Sequence, residues 1–223
     1  MGFKTDRAAV YQIRSQHRNE EVREVIPSDY GGVMITDRGK SYDAGEFDAV
    51  EQQKCLGHIL RNITEVLDAK QRRAREFGVY AKMLFQDEME LWRARDSLSP
   101  EVFAGKADEL REMVSYHLRD RILKDQDNQR LLNGLGKQDD CGRLLRFLSA
   151  PFVEPTNNLA ERMLRPAVIA RKVSHCSKNQ AGAEAFAAFS SLAQTALKNG
   201  HTSVSAAFRL LFASKISSVE SLR

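Results

Sequence analysis

Pro155-Thr156-Asn157-Asn158-Leu159-Ala160-Glu161-Arg162 runs straight into Met163-Leu164-Arg165-Pro166, and Arg171-Lys172 follows soon after. The stretch puts one carboxylate early on a helix and rings it with amides and guanidinium groups. That mixture suits a divalent metal held against a phosphate backbone, because magnesium prefers hard oxygen ligands and arginine grips phosphate. A second acid, Asp37, closes the apolar run Val33-Met34-Ile35-Thr36. Breaking and rejoining a phosphodiester with two metal ions about 4 Å apart needs carboxylates that converge from distant parts of a chain. Asp37 and Glu161 are the candidate pair, as catalytic residues and as ligands of Mg2+ or Mn2+.

Each of these residues also has a plainer role open to it. Asn158-Leu159-Ala160-Glu161 has capping-box spacing, so Glu161 can secure its own helix, and Arg165 four residues on can pair with it at the surface. Acids at strand ends, like Asp37, are common in turns. Asn157 and Asn158 can bond DNA, can orient groups behind a metal, or can cap the helix. Arg162, Arg165, Arg171 and Lys172 are candidate phosphate contacts, and a solvated helix face produces the same pattern.

Charge distribution favours the phosphate reading. Residues 141–178 hold seven basic side chains against two acidic ones, a surplus of five in a chain whose net charge is +4. The remainder therefore carries −1, and all the net positive charge surrounds the candidate site. Such clustering is the footprint of nucleic-acid contact.

Hydrophobic residues make up 42% and charged residues 29% of the 223, the composition of a folded globular protein rather than a disordered or fibrous one. No apolar run approaches the roughly 18 residues that would span a bilayer. Met1-Gly2-Phe3-Lys4-Thr5-Asp6 has no apolar h-region, and Asp6 stands where a myristoylation signal wants Ser or Thr. Three irregularly spaced cysteines, Cys55, Cys141 and Cys176, read as reduced thiols, so the expected location is cytoplasmic. Cys55-x-x-His58 with His175-Cys176 raises a zinc site, but an adjacent His-Cys pair closes a tetrahedron poorly. Zinc is disfavoured, and a buried cysteine beside a hydrogen-bonded histidine is preferred. Gly134-Leu135-Gly136-Lys137 lacks the Walker spacing and the following Ser or Thr.

The elements that must position the acids can be read in outline. Ala9 to Arg14 alternates as a strand, Asn19 to Ile26 reads as a short helix with Asn19 as its cap, and Gly31-Gly32 opens a buried parallel strand ending at Asp37. Gln53 to His58 is expected as a further strand. From Ile59 to Lys137 the apolar residues recur at helical spacing, and Ser99-Pro100-Glu101 marks a helix start. Asn128 to Asp140, polar and Gly-containing, is expected as a loop or an interrupted helix. After Pro155 comes the site helix, then a small-residue helix from Gly182 to Ala196 ended by Asn199-Gly200. A last amphipathic helix spans Val204 to Phe212. The division expected is 1–58 with Asp37, a helical insertion over 59–140, and 141–223 with Glu161.

Thr156 to Pro166 resembles the Asn-Asn-x-Ala-Glu-Arg-x-x-Arg-Pro signature of insertion sequence 66 family transposases. Arg171-Lys172-x-Ser174 and the run from Gly182 to Thr195, with Ser191-Leu192 and Gly200, fit that family's continuation. Gly32 to Asp37 followed by Tyr42 resembles its central Asp strand, and Cys55 to Arg61 resembles its Cys-Trp-x-His-x-x-Arg segment with Leu56 in place of Trp. The similarity covers nearly all of residues 3–212. It implies an RNase H-like α/β domain interrupted by an all-helical insertion and closed by a helical C-terminus. It further implies a two-metal Asp-Asp-Glu triad, with Asp37 second and Glu161 third. The family's first Asp would precede Met1. Asp6 falls in a turn and does not replace it, so the expectation is a truncated, impaired enzyme.

The partners implied are double-stranded DNA, at insertion-sequence ends and targets, and a second copy or a full-length transposase; no membrane is implied. The competing expectations are a DNA-binding or regulatory remnant that does not cut, and a product that folds poorly because its sheet lacks a strand.

Overall fold

A computed structural model describes residues 1–119, 121–174 and 177–209. The architecture is mixed α/β and mostly helical, and its strands form two small two-stranded sheets. The chain divides into two compact units. One contains Met1–Val25 and the described residues from Asn158 onward, and the other is Ile26–Asn157.

In the first unit, β1 (Gly2–Lys4) and β2 (Ala9–Tyr11) form an antiparallel hairpin with Phe3 opposite Val10. Its turn is tied by the Thr5 hydroxyl, which accepts the Arg7 and Ala8 amides at 3.2 and 3.0 Å. Asp6 sits within this exposed turn. A hairpin of three-residue strands is marginal alone, and two helices support it. These are α6 (Asn158–Ser174) and α7 (Gln180–Lys198). Helix α6 packs on β1 so closely that a Cβ on Gly2 would lie 2.5 Å from the Leu164 side chain.

Helix α7 covers the open edge of β2. Thr195 Oγ1 accepts the Ala9 amide at 3.0 Å and donates back to the Ala9 carbonyl at 3.1 Å, and Ser191 Oγ accepts the Tyr11 amide at 2.9 Å. Edge-strand amides that would otherwise be unpaired are thus satisfied by hydroxyls. The buried small residues Ala183 and Ala187 of α7 suit that close approach. Asn179 caps α7 by accepting the Gly182 amide at 2.8 Å, and Gly200 at φ +84° follows its end, as the Asn199-Gly200 pair suggested.

Two expectations change at the margins of this unit. α1 spans Asn19–Arg23, and its cap is Arg18 rather than Asn19; the Glu21 carboxylate accepts the Arg18 amide at 2.9 Å. The helix also stops short of Ile26, because a residue preceding proline, here Pro27, disfavours helical geometry. Residues 204–209 are helical, and the remainder of the expected last helix lies outside the described residues.

In the second unit, β3 (Val33–Thr36) and β4 (Glu51–Lys54) pair in parallel with Thr36 beside Lys54. The strand expected to run from Gln53 to His58 ends at Lys54. Cys55 is already the cap position of α2 (Leu56–Asp68), whose buried Leu56, Ile59, Ile63 and Leu67 recur at helical spacing. α3 (Glu76–Arg93) and α4 (Pro100–His117) follow, the latter capped by Ser99 Oγ accepting the Val102 amide, with Pro100 in its first position. α5 (Gln126–Asp140) is one continuous helix, not a loop or an interrupted helix. Asp125 caps it, and Leu131, Leu132 and Leu135 anchor it in the core. Its glycines serve close packing: a Cβ on Gly136 would lie 2.8 Å from the Leu118 backbone carbonyl. Packing outweighs the helix cost of two glycines, about 1 kcal/mol each.

The core of this unit carries one costly group. Glu88 of α3 is fully buried, and neither carboxylate oxygen has a hydrogen-bond partner among the described residues. Burial first, then the nearby Asp139 and Asp87, push its carboxyl well above the usual range, with Arg111 opposing. A native state that holds a proton the unfolded chain releases loses stability as pH rises from about 4.5 towards the folded pKa, by at most ~1.4 kcal/mol per unit. Glu88→Gln is therefore expected to raise the melting temperature at pH 7 and to flatten this pH dependence. Melting curves of both proteins between pH 5 and 8 check it. Parallel curves would contradict the assignment.

Candidate metal centre and nucleic-acid interface

Asp37 follows β3 directly, where the parallel pair ends. It is half-buried, and its Oδ1 accepts the Gly39 amide at 2.8 Å. A Cβ on Gly39 would lie 2.8 Å from that same oxygen and 3.4 Å from the Tyr42 ring, so a side chain there would push the Asp37 carboxylate out of this position. Asp37 Oδ2 makes no hydrogen bond or ion pair among the described residues, which leaves it open to a cation. Tyr42 feels the acid's charge. Its phenol is pushed up to about 12, by burial first and then by Asp37.

Lys54, the last residue of β4, is entirely buried beside this corner. Its Nζ reaches Asp43 Oδ1 at 2.8 Å, Gln52 Oε1 at 2.9 Å and Thr36 Oγ1 at 3.2 Å. Burial lowers its pKa, Asp43 opposes that most strongly, and Asp37 acts in the same sense as Asp43. Asp43 is fully committed: Oδ1 also takes Arg143 at 3.2 Å and Oδ2 takes Gln138 Nε2 at 3.2 Å. A carboxylate bound to two cations and an amide is a poor metal ligand. Asp37 is therefore the carboxylate of this corner that fits Mg2+. Arg38 turns instead to Asn62, donating to its Oδ1 at 2.6 Å, and burial lowers its pKa.

Asn157, the last residue of this unit, donates its amide N–H to Cys55 Sγ at 3.4 Å, and its buried side-chain oxygen has no hydrogen-bond partner among the described residues. Cys55 is buried, as expected of a structural thiol. His175 and Cys176, raised above as possible zinc ligands, lie outside the described residues. Among the described residues no three His, Cys, Asp or Glu side chains lie close enough together to hold a metal.

The other acid, Glu161, belongs to the first unit. It is half-buried in the first turn of α6, and its carboxylate is of the same hard-oxygen type. Met163 is the buried residue of this helix, and the Tyr11 hydroxyl donates to its carbonyl. That contact fixes which face looks inward, so Asn158, Arg162, Arg165, Arg171 and Lys172 are exposed. Pro166 sits inside α6 and has no N–H to offer the Arg162 carbonyl one turn earlier.

Sequence spacing could not reveal which residues join this basic face. Lys4 of β1 has its pKa lowered by burial first, then by Lys198 of α7 and Arg162 of α6. Three cations drawn from three distant segments thus share one neighbourhood, and Lys198 is held there by the Asp6 carbonyl at 3.1 Å. Like charges gathered together are costly alone and useful where phosphates supply the counter-charge.

No helix among the described residues is long and apolar enough to cross a membrane. No curated protein and no solved structure matches the chain. The profile of the transposase IS66 family, however, matches residues 2–185. The matched span includes Asp37, the Cys55–His58 segment and all of α6, and the resemblance noted from Ser191 to Gly200 lies beyond it. A match over most of the length, carried through both candidate acids, shows that the chain belongs to the transposase IS66 family.

Proposed function

We propose that this chain is the catalytic part of a metal-dependent DNA transposase in which Asp37 and Glu161 are two of the metal-binding carboxylates. The observation that carries the reading is that the family match spans both acids while Asp37 keeps one oxygen unengaged at a strand end. What Mg2+ or Mn2+ supplies when bound is activation of the attacking oxygen and stabilisation of the leaving one. The chain's own residues do the rest. Asp37 presents its carboxylate from a loop fixed by Gly39, and the buried Lys54–Asp43–Arg143 network holds that loop to β4. Glu161 is presented on α6 next to Arg162 and Arg165, which would take the phosphates on either side of the scissile bond. Water and then a DNA 3′-hydroxyl would attack, with no covalent protein intermediate.

An RNase H-like core belongs to the same proposal. It is supported by the order of an antiparallel hairpin, a parallel pair ending at an acid, a helical block and a late helix carrying Glu. Double-stranded DNA at insertion-sequence ends and targets is the proposed substrate.

The second reading is a chain that holds DNA without cutting it. The commitment of Asp43 to Lys54, Arg143 and Gln138 favours it, because the Asp37 corner then offers a single available carboxylate from its own unit. Nicking of supercoiled plasmid separates the two. Relaxed circles that form only with Mg2+ or Mn2+, and not with Glu161→Ala, support the enzyme; retention of DNA without nicking supports the binding chain.

Either reading makes α6 the phosphate-gripping surface. Arg165→Ala with Arg171→Ala is expected to weaken duplex binding by roughly the same factor on any sequence. It should also make the slope of log K against log salt shallower by about 2, since each phosphate contact contributes roughly 0.9. A titration series at several salt concentrations checks it, and an unchanged slope would remove these arginines from the interface.

A further inference from the structure

Away from the two acids, the helical part of the second unit forms an open cleft of about 710 Å³ between α3, the end of α4 and the segment leading into α5. That is the size of a small-ligand site, and its lining is built for flat rings. His117 stacks on Phe77 with centroids 5.2 Å apart and planes 15° from parallel, and Tyr80 tilts onto the same histidine at 4.3 Å. Arg121 Nη1 lies 2.7 Å from His117 Nδ1. Arginine only donates, so this nitrogen accepts and the ring is neutral. Burial first, then the Arg121 charge, hold His117 at about 4, with the Phe77 backbone opposing. The stack therefore stays uncharged at physiological pH.

The rim looks different. Tyr116 is 84% exposed and Ile122 98% exposed, which leaves both side chains available to a ligand. Arg73, Arg121 and Lys124 line the same cleft. Of the acids there, Asp125 is already neutralised by Lys70 at 2.9 Å, which leaves Glu76 against three cations. Arg73 and Lys124 have no ion-pair partner among the described residues. Arg73 also follows a strained position, since Arg72 adopts φ +51°, a left-handed conformation that costs a non-glycine residue about 1–2 kcal/mol.

We propose that this cleft takes an unpaired base of single-stranded DNA, stacked against the exposed rings of Tyr116 and Tyr80, with Tyr80 backed by the buried His117 and Phe77, and with its flanking phosphates on Arg73 and Lys124. Aromatic faces interleaved with cations are the general means of holding single strands. A base still paired and stacked in a duplex has no free face to offer these rings. The proposal rests on the reading of this chain as DNA-acting, since it assigns to the helical region the strand that such a reaction frees. It is independent of Asp37, Glu161 and the α6 arginines.

The test is fluorescence anisotropy of the full chain with labelled oligothymidylate, a blunt duplex and oligouridylate. The expected result is that Tyr116→Ala and Arg73→Ala each weaken oligothymidylate binding about 5- to 100-fold, the range measured for losing one stacked base. Tyr116→Phe, which keeps the ring, should bind like the parent. Duplex binding should be unchanged in all three. Both altered side chains are exposed, and unchanged melting curves confirm that the variants fold. Unchanged oligothymidylate binding in Tyr116→Ala, equal losses for Tyr116→Phe and Tyr116→Ala, or a preference for oligouridylate would each overturn the proposal. Failure of the parent chain to bind duplex, with the single-strand losses as expected, would instead count against the α6 surface.

Discussion

Lys54→Met is expected to destabilise the protein by about 3 kcal/mol, the lower end of the range for removing one partner of a buried ion pair. Lys54 is fully buried and bridges Asp43, Gln52 and Thr36. Methionine keeps the length and the apolar stem but leaves the oxygens of Gln52 and Thr36 without their donor, and each unsatisfied buried polar group costs ~1–3 kcal/mol. Asp43 retains Arg143 and Gln138, which places the effect at the lower end. The loss should be reported by denaturant unfolding. It should also loosen the Asp37 corner, so that the metal-dependent nicking proposed for this chain, where it is measured, falls by more than the unfolded fraction explains. Wild-type stability in Lys54→Met would mean that this network does not hold the corner together.

Asp37→Asn is expected to have the largest functional effect. The amide oxygen can still accept the Gly39 N–H, so the loop that Gly39 permits should survive, and thermal unfolding should be unchanged. What disappears is the negative charge that a divalent cation needs. Any metal-dependent nicking should fall by at least roughly 100-fold, because catalytic ligands act as a unit and losing one removes most of the rate. Duplex retention should persist, since the phosphate contacts proposed for α6 lie elsewhere in the chain. A variant that nicks at the parental rate would exclude Asp37 from the chemistry.

The parts of the fold legible in the sequence were those whose signal is local. Val33 to Thr36 is apolar and begins after two glycines, so the strand carrying Asp37 was visible. Ser99-Pro100 and Asn199-Gly200 marked helix ends by their own backbone chemistry.

β4 shows why other parts were hidden. Its residues Glu51-Gln52-Gln53-Lys54 contain no hydrophobic side chain, yet Gln52, Gln53 and Lys54 are buried. They are stabilised by specific bonds, such as Gln53 Nε2 to the Leu144 carbonyl at 2.6 Å and the Phe147 amide to Gln53 Oε1 at 3.1 Å. Hydropathy patterning cannot detect a strand buried by hydrogen bonds to residues some ninety positions away. α5 was obscured differently: Gly134 and Gly136 lower its intrinsic propensity, and only the tertiary packing of the Arg38 side chain on Gly134 and of the Leu118 carbonyl on Gly136 accounts for them.

The candidate site divides along the same line. The positions of Asp37 at a strand end and of Glu161 and the arginines on a helix were legible because motif and element coincide. The cluster of Lys4, Arg162 and Lys198 was not, because three segments far apart in sequence contribute one cation each. Lys54 was missed because a lysine in a polar run reads as surface.

Mn2+ binding to the purified chain with duplex DNA, followed by the electron paramagnetic resonance of free Mn2+, decides whether Asp37 and Glu161 hold a metal. Asp37→Asn and Glu161→Gln are each expected to weaken binding tenfold or more, as loss of a carboxylate ligand should do even more strongly than loss of a group behind one, with melting curves unchanged. Mn2+ affinity that neither substitution alters would contradict the assignment of these two acids as metal ligands.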